Sequence, residues 1–328
     1  MQPQRDESEG ICPSATQTQL TVVVPCFNEE ANVQSLAAAI DKVFSSEPNY
    51  RHTILFIDNH SGDGTQALLR NMARRSPHIK AIFNARNFGH IRSPYYGLLQ
   101  ATGDCCVFLA CDFQDPPELI PQFLREWERG HKIIVGVKAE SEESRVLYAL
   151  RSLYYGLLGK ISDVELMQHV TGFGLYDRKV LDILRGIEDP YPYFRGLLAE
   201  IGLEIKKINF RQPRRRRGLT KNNFLTLYDM AMLGVVNHSR LPLRIATFLG
   251  FLLSGCGLAV AIVYLIAKLF FWNDFTVGTA PILIGVIFLG GVQLLFVGII
   301  GEYVGAILTQ VQKRPLVIEK ERINLDPD

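Results

Sequence analysis

The sequence predicts an α/β fold built on a mostly parallel sheet, followed by an interfacial helix and two C-terminal transmembrane helices. Three observations lead there. Short β-branched or apolar runs alternate with helix-length amphipathic stretches as far as Lys138. Clusters rich in Asp, Asn and Arg close those runs. Two stretches without any charge, 245–267 and 280–301, lie near the end of the 328-residue chain, and each has the roughly 20 apolar residues that crossing a bilayer needs.

The polar residues 1–18, with Asp6, Glu7 and Glu9, read as a flexible tail and not as a signal peptide. Strands are expected at Thr21–Pro25, Thr53–Asp58, Ile79–Phe83, Cys105–Leu109 and Ile133–Val137, and helices at 30–44, 65–74, 92–101 and 117–129. Right-handed crossovers place the turns after successive parallel strands on one edge, where ligands of such sheets bind. That edge collects Phe27-Asn28-Glu29, Asp58-Asn59-His60, Arg86-Asn87-Phe88-Gly89 and Asp112 to Asp115.

After Lys138 the pattern weakens to a helix at 142–160, a Gly-rich turn at 171–174, a helix at 178–184 and a strand at 204–210. Phe224, Leu225, Leu227, Tyr228, Met232 and Val235 can share one face, so 222–240 reads as an amphipathic helix lying in a membrane interface. The division is therefore a tail (1–18), a catalytic domain (19–221), an interfacial helix (222–240), two spans within 241–312 and a C-terminal tail (313–328). Arg240, Arg244, Lys313 and Arg314 flank the spans, whereas the connection between them carries only Lys268 and Asp274. The positive-inside bias then puts the catalytic domain and both termini on the cytoplasmic side of the inner (cytoplasmic) membrane.

The six cysteines form no C-x-x-C pair and have no His at zinc-knuckle spacing, which suits a reducing compartment. The formal net charge is only +2, but Arg214 to Arg217 with Lys221 makes a dense basic run just before the spans. That placement suits lipid headgroups or a phosphorylated ligand and argues against nucleic acid.

Several motifs in order resemble family 2 inverting glycosyltransferases of the GT-A fold, in the branch that glycosylates polyprenyl phosphates. They are Val22 to Glu30, Ile57 to Thr65, Arg86 to His90, Asp112 to Ile120, Gly218-Leu219-Thr220-Lys221, Gly290 to Leu294, Gly301 to Gly305 and Arg314-Pro315-Leu316. The resemblance implies a GT-A nucleotide-diphospho-sugar transferase domain that uses Mg²⁺ or Mn²⁺ and a UDP- or GDP-linked sugar donor. It also implies a polyprenyl phosphate acceptor of undecaprenyl or dolichyl type, held at a lipid bilayer, and through its relatives a homo-oligomer.

The donor site so implied comprises Pro25, Phe27, Asn28, Glu29, Asp58, Asn59, Arg86, Cys111 and Asp112. The cation falls to Asp112 with Gln114, because Ala110 stands where the family has the first Asp of its Asp-x-Asp. Lys138, Arg195, Arg215, Thr220 and Lys221 are matched to phosphate contacts. Asp112, Asp115, Arg215 and Lys221 form the catalytic set. Bland roles stand beside these: helix caps or turns for Asp112, Asp115, Asn28, Glu29 and Asp58, a solvated loop for Arg86, headgroup contact for Arg214, Arg216 and Arg217, and turn or core positions for His60, His90 and His169.

The family's Gly-Asp-Phe-Arg reads Thr171-Gly172-Phe173-Gly174, so a carboxylate and an arginine are missing. A phosphate acceptor tolerates that loss: its second pKa is about 6, and it is largely dianionic without a general base. Two other functions compete with the transferase. A catalytically silent nucleotide-sugar binder is suggested by Ala110, Asn59 and Gly172. A processive polysaccharide synthase would carry Gln-x-x-Arg-Trp, yet neither Trp127 nor Trp272 follows an Arg.

Overall fold

The structure, a computed structural model, describes residues 17–138, 170–212, 241–270 and 279–325. In chain order the elements are β1 (Thr18–Cys26), α1 (Val33–Phe44), β2 (Tyr50–Asp58), α2 (Thr65–Arg75), β3 (Ile79–Asn84), α3 (Gly89–Leu99), β4 (Cys105–Phe108), a 3₁₀ turn (Pro117–Leu119), α4 (Ile120–Glu128) and β5 (Ile133–Lys138). There follow β6 (Val170–Asp177), α5 (Arg178–Arg185), α6 (Phe194–Glu200), β7 (Ile205–Phe210), α7 (Leu241–Phe270), α8 (Thr279–Val311) and β8 (Glu319–Ile323).

The eight strands form one sheet in the order β7-β5-β6-β4-β1-β2-β3-β8. The β1–β2, β1–β4, β2–β3 and β5–β7 pairs are parallel, and β6 and β8 run against their neighbours. Alternate side chains of each strand feed two cores. Val22, Val24, Phe56 and Phe83 pack with Leu36 and Ile40 of α1 and Phe123 of α4. Val23, Leu55, Ile57 and Ile82 pack with Tyr95 and Leu98 of α3, Leu181 of α5 and Leu198 of α6.

The stretch 171–174, expected as a turn, lies inside β6. Period-two alternation overrides the glycines: Phe173 and Leu175 face one core and Tyr176 the other. Gly174 is required by close approach, since a Cβ there would stand 2.2 Å from the Ile134 carbonyl oxygen of β5. The segment after residue 313, expected as a tail, supplies β8 on the outer edge of β3. The helices expected at 142–160 and 222–240 lie outside the described residues.

α7 and α8 are long and apolar enough to cross a membrane, through Pro242–Val260 and Phe288–Val311. Their large side chains, among them Phe248, Phe251, Val263, Leu294 and Leu295, are exposed, which a water-facing helix pair does not sustain. The second helix runs past Glu302 to Val311, beyond the expected end of the span at 301. Crossing hydrocarbon does not require the helix to stop at its boundary.

Candidate functional site

Strands β1, β2, β3, β4 and β5 deliver their C-termini to one edge, and the loops that follow are knitted together there. Asn28 accepts from the Gly62 N–H through Oδ1 (2.8 Å), while its own N–H donates to Ser61 Oγ (2.8 Å). The Glu29 N–H donates to Thr65 Oγ1 (2.9 Å), and Glu30 accepts the Gly64 N–H (2.9 Å) while its own N–H reaches Asp63 (3.2 Å). Burial pushes the Asp63 carboxyl up, but the Thr65 hydroxyl and the N–H groups of Thr65 and Glu30 outweigh it and hold it below the usual range. Asn28, His60 and Phe113, one in each of the loops after β1, β2 and β4, adopt left-handed backbone with φ of 58°, 65° and 60°. Each such residue costs on the order of 1–3 kcal/mol, and strain of this kind gathers at ligand clamps.

Asp58, the last residue of β2, is fully buried. Its Oδ2 accepts from the Ser61 N–H (3.1 Å) and Gln66 Nε2 (2.7 Å). Its Oδ1 is buried without a hydrogen-bond partner among the described residues. A buried carboxylate oxygen left unmatched in this way costs free energy and calls for a donor beyond the described residues. Asn59 beside it has no such vacancy. Its Oδ1 accepts from the Phe88 N–H (2.9 Å) and Asn84 Nδ2 (3.2 Å), and its Nδ2 donates to Asn87 Oδ1 (2.9 Å) and the Gly89 carbonyl (3.0 Å). All four of its hydrogen-bonding positions are used to hold the loop after β3.

The loop after β4 brings two carboxyl groups together. Asp112 is nearly buried and accepts the Gln114 N–H at Oδ1 (3.1 Å). Asp115 accepts the Ala110 N–H at Oδ2 (2.9 Å). Burial pushes the Asp115 carboxyl up to about 7 against that N–H; the charge of Asp112 pushes the same way and Lys138 opposes it. Cys26, donating to the Ile57 carbonyl (3.4 Å), and Cys111 are both buried. Burial first, and nearby carboxylates second, keep the Cys111 thiol protonated, so it is inert as a nucleophile.

Cationic residues flank this edge. The Arg86 guanidinium lies 4.1 Å over the Phe88 ring and donates to the Asn87 carbonyl (3.1 Å). Arg92, which the sequence did not single out, shares that ring at 5.6 Å and donates to the Pro315 carbonyl. Burial, with Arg86 and Arg314 adding to it against Tyr191, lowers its pKa. Lys138 ends β5, and Arg195 opens α6 beside a largely apolar 320 Å³ cavity between Pro25, Phe108, Gly172 and Tyr193. His90 lines the same cavity, and burial holds its pKa down.

Gly172 has φ +93°, a conformation that glycine adopts freely, and a Cβ there would stand in ordinary van der Waals contact with the Phe108 and Phe194 rings (3.8–3.9 Å). Arg215, Thr220, Lys221, His169 and the run 214–217 lie outside the described residues. Asn84, Gln66 and Arg92 were missed because an isolated polar residue at a strand end or in a helix carries no pattern of its own.

The edge is also where the long apolar helices join the sheet. β8 enters the sheet opposite the end of β3, with Glu319 paired to Asn84 and the Ala85 N–H donating to the Ile318 carbonyl (2.8 Å). Gln310 near the end of α8 donates to Asp189 (2.9 Å), and Lys313 pairs with Glu188 (3.6 Å), on the loop leading to the Arg195 cavity. β7, parallel to β5, ends on this edge at Phe210, ahead of α7 in the chain.

A family model described as Glycosyl transferase family 2 matches residues 21–185. The uncharacterised glycosyltransferase YkcC of Bacillus subtilis (strain 168) is 30% identical over 310 residues, covering 94% of this chain and 95% of that protein. The SfII prophage-derived bactoprenol glucosyl transferase of Shigella flexneri is 29% identical over 303 residues, covering 92% and 97%. The prophage bactoprenol glucosyl transferase homolog of Escherichia coli (strain K12) is 28% identical over 305 residues, covering 92% and 98%. Among solved structures, glucosyl-3-phosphoglycerate synthase from Mycobacterium tuberculosis, in complex with Mn²⁺, uridine diphosphate and phosphoglyceric acid, is 18% identical with a TM-score of 0.46, over 67% of this chain and 76% of that one.

Proposed function

Because the chain belongs to glycosyl transferase family 2, we propose that it transfers a hexose from a nucleoside-diphosphate sugar to the phosphate of a polyprenyl phosphate, with inversion. The reaction runs at the cytoplasmic face of the membrane. Bactoprenol glucosyl transferases that align over nearly their whole length support this acceptor and favour glucose as the hexose. The observation that carries the reading is the junction of α8 with the carboxyl edge of the sheet: a lipid-borne phosphate and a soluble nucleotide sugar meet where Glu319 pairs with Asn84.

On this reading Asp58 Oδ1, the unmatched buried acceptor, takes an N–H from the base of the donor. Asn28, Glu29 and their partners hold that loop in its strained shape, and Pro25, Phe27 and Cys111 line the nucleotide's approach. Asn59 acts one step away, by fixing the loop that carries Arg86. Asp112 and Asp115 with Gln114 offer hard oxygen donors from one loop. That donor set fits Mg²⁺ or Mn²⁺. When bound, the ion neutralises charge developing on the leaving diphosphate.

Lys138 and Arg195, with Arg215, Thr220 and Lys221, hold the acceptor phosphate and screen its repulsion from the donor. The acceptor arrives ionised, so the chain needs alignment more than a base. This accounts for a working site with Gly172 and Gly174 where relatives carry Asp and Arg.

Purified protein with polyprenyl phosphate, Mn²⁺ and a panel of nucleotide sugars is expected to release free nucleoside diphosphate and form a glycolipid. No glycolipid from any donor, together with donor binding untouched in Asp112→Ala, sinks the proposal. One specific observation, Ala110 in place of a metal-binding Asp, favours a second reading, a silent nucleotide-sugar binder. Equal background rates in the wild type and Asp112→Ala would select it.

A further inference from the structure

At the opposite edge of the sheet, three side chains from three elements converge. Asp41 lies in the last turn of α1, His52 near the start of β2, and His78 just ahead of β3. Nε2 of His52 and Nε2 of His78 stand 2.8 and 3.1 Å from the same oxygen, Asp41 Oδ1, and all three ligand atoms lie within 4.8 Å of one another.

We infer that Asp41, His52 and His78 form a binding site for a divalent transition metal of the Zn²⁺ type, separate from the catalytic edge. Two imidazole nitrogens and one carboxylate oxygen are the donors of open zinc sites, in which three protein ligands leave a fourth position to water or another ligand. Ligand atoms around tetrahedral zinc stand roughly 3.3 Å apart, given bonds of about 2.0–2.1 Å. The two imidazole–carboxylate separations already lie near that spacing, so modest side-chain shifts convert the hydrogen-bonded cluster into a coordination sphere. Hard cations such as Mg²⁺ prefer oxygen and select against the paired imidazoles.

The ligands are held before any metal arrives. The His52 ring stacks on Phe44, with centroids 4.3 Å apart and planes at 9°, and His78 meets it edge-on at 5.4 Å. The His78 carbonyl accepts the Ile54 N–H (2.9 Å), which pins that residue to β2. Two of the ligands, His52 and His78, border a 330 Å³ cavity, together with Arg51, Thr53 and Lys80. The fourth position can thus exchange ligand, and its cationic walls favour an anion there. His52 and Asp58 lie six residues apart on one strand, so the two edges are ~20 Å apart at about 3.3 Å per residue. In the free protein each neutral ring carries on Nε2 the proton that it donates to Asp41; binding through Nε2 moves that proton to Nδ1, so binding to neutral rings releases no net proton. The inference does not depend on the transferase reading.

The test uses the full chain, stripped with EDTA and titrated with CoCl₂ or ZnCl₂. Expected are one visible d–d absorption band per chain with Co²⁺, displaced by Zn²⁺, and a rise in melting temperature with Zn²⁺. His78→Ala and Asp41→Asn should each weaken Co²⁺ binding by roughly 100-fold or more, while Asp112→Ala keeps the band unchanged. Absence of the band in the wild type, or its survival in both cluster variants, overturns the inference. Its loss in Asp112→Ala alone would move the metal to the catalytic edge and overturn it equally.

Discussion

Asp58→Asn separates recognition from stability at the proposed nucleotide site. The Ser61 N–H and Gln66 Nε2 both point at Oδ2, so the amide oxygen of an asparagine must take that place. Its NH₂ then falls where Oδ1 now lies. The fold exchanges a buried, unmatched carboxylate oxygen for an unmatched NH₂ and sheds a buried charge, so stability is expected to change little. A nucleotide base offering an N–H meets another N–H instead. A hydrogen bond to a charged group is worth about 1.5–3 kcal/mol, and about 1.4 kcal/mol is tenfold in affinity, so the dissociation constant should rise roughly 10- to 100-fold. Calorimetric titration with UDP and GDP, paired with thermal melts of the free protein, reads both effects. Unchanged affinity for both nucleotides, or a loss of affinity that tracks a loss of fold, would refute the assignment of Oδ1.

Asp112→Ala should lower glycolipid formation by about 100-fold or more, as removal of transition-state charge stabilisation does elsewhere, and abolish its response to Mn²⁺; radiolabelled lipid product measures both. Gly174→Ala, whose Cβ would stand 2.2 Å from the Ile134 oxygen, should cost about 1–3 kcal/mol or more, whereas Gly62→Ala, with nothing within 4 Å, should be mild; comparative melts decide. Asp177 accepts from Lys132 Nζ (2.9 Å), Trp127 Nε1 (2.8 Å) and the Lys179 N–H (3.0 Å). Burial pushes its pKa up, but these partners outweigh that and hold it below the usual value. Its contribution is therefore present above the unfolded pKa of about 3.9 and is lost as pH falls through the folded value. Asp177→Asn should cost roughly 1–3 kcal/mol at neutral pH, with the gap to wild type closing in acid.

Most of the sheet could be read from the chain because its central strands announce themselves. Val22 to Val24 and Ile54 to Ile57 are apolar on both faces, as strands covered by helices on either side must be. The clusters around Asp58 and Asp112 were legible for a related reason: polar residues that interrupt such runs fall at strand ends. β8 was not, since Glu319 to Ile323 is charged and its place is set by a partner. Arg70 binds Glu321 (2.8 Å), and Asn324 reaches the Ala73 and Ile79 carbonyls (2.6 and 2.8 Å). β6 was hidden by Gly172 and Gly174, which look like a turn until the closeness of Ile134 is seen. The engagement of Asn59, and the meeting of His52 with His78, depend on contacts between residues 28 and 26 positions apart that no local pattern records.

The link between α8 and β8 runs only from Gln312 to Ile318. Fully extended it reaches roughly 25–30 Å, so under the proposed function a substrate anchored by its tail would not have to leave the lipid sheet to be captured. Encounter becomes a search in two dimensions, in which crowding within the leaflet counts and bulk molarity does not. Rates measured in mixed micelles or vesicles should accordingly scale with the mole fraction of acceptor in the surface, and diluting that surface with inert lipid should slow turnover at constant total acceptor.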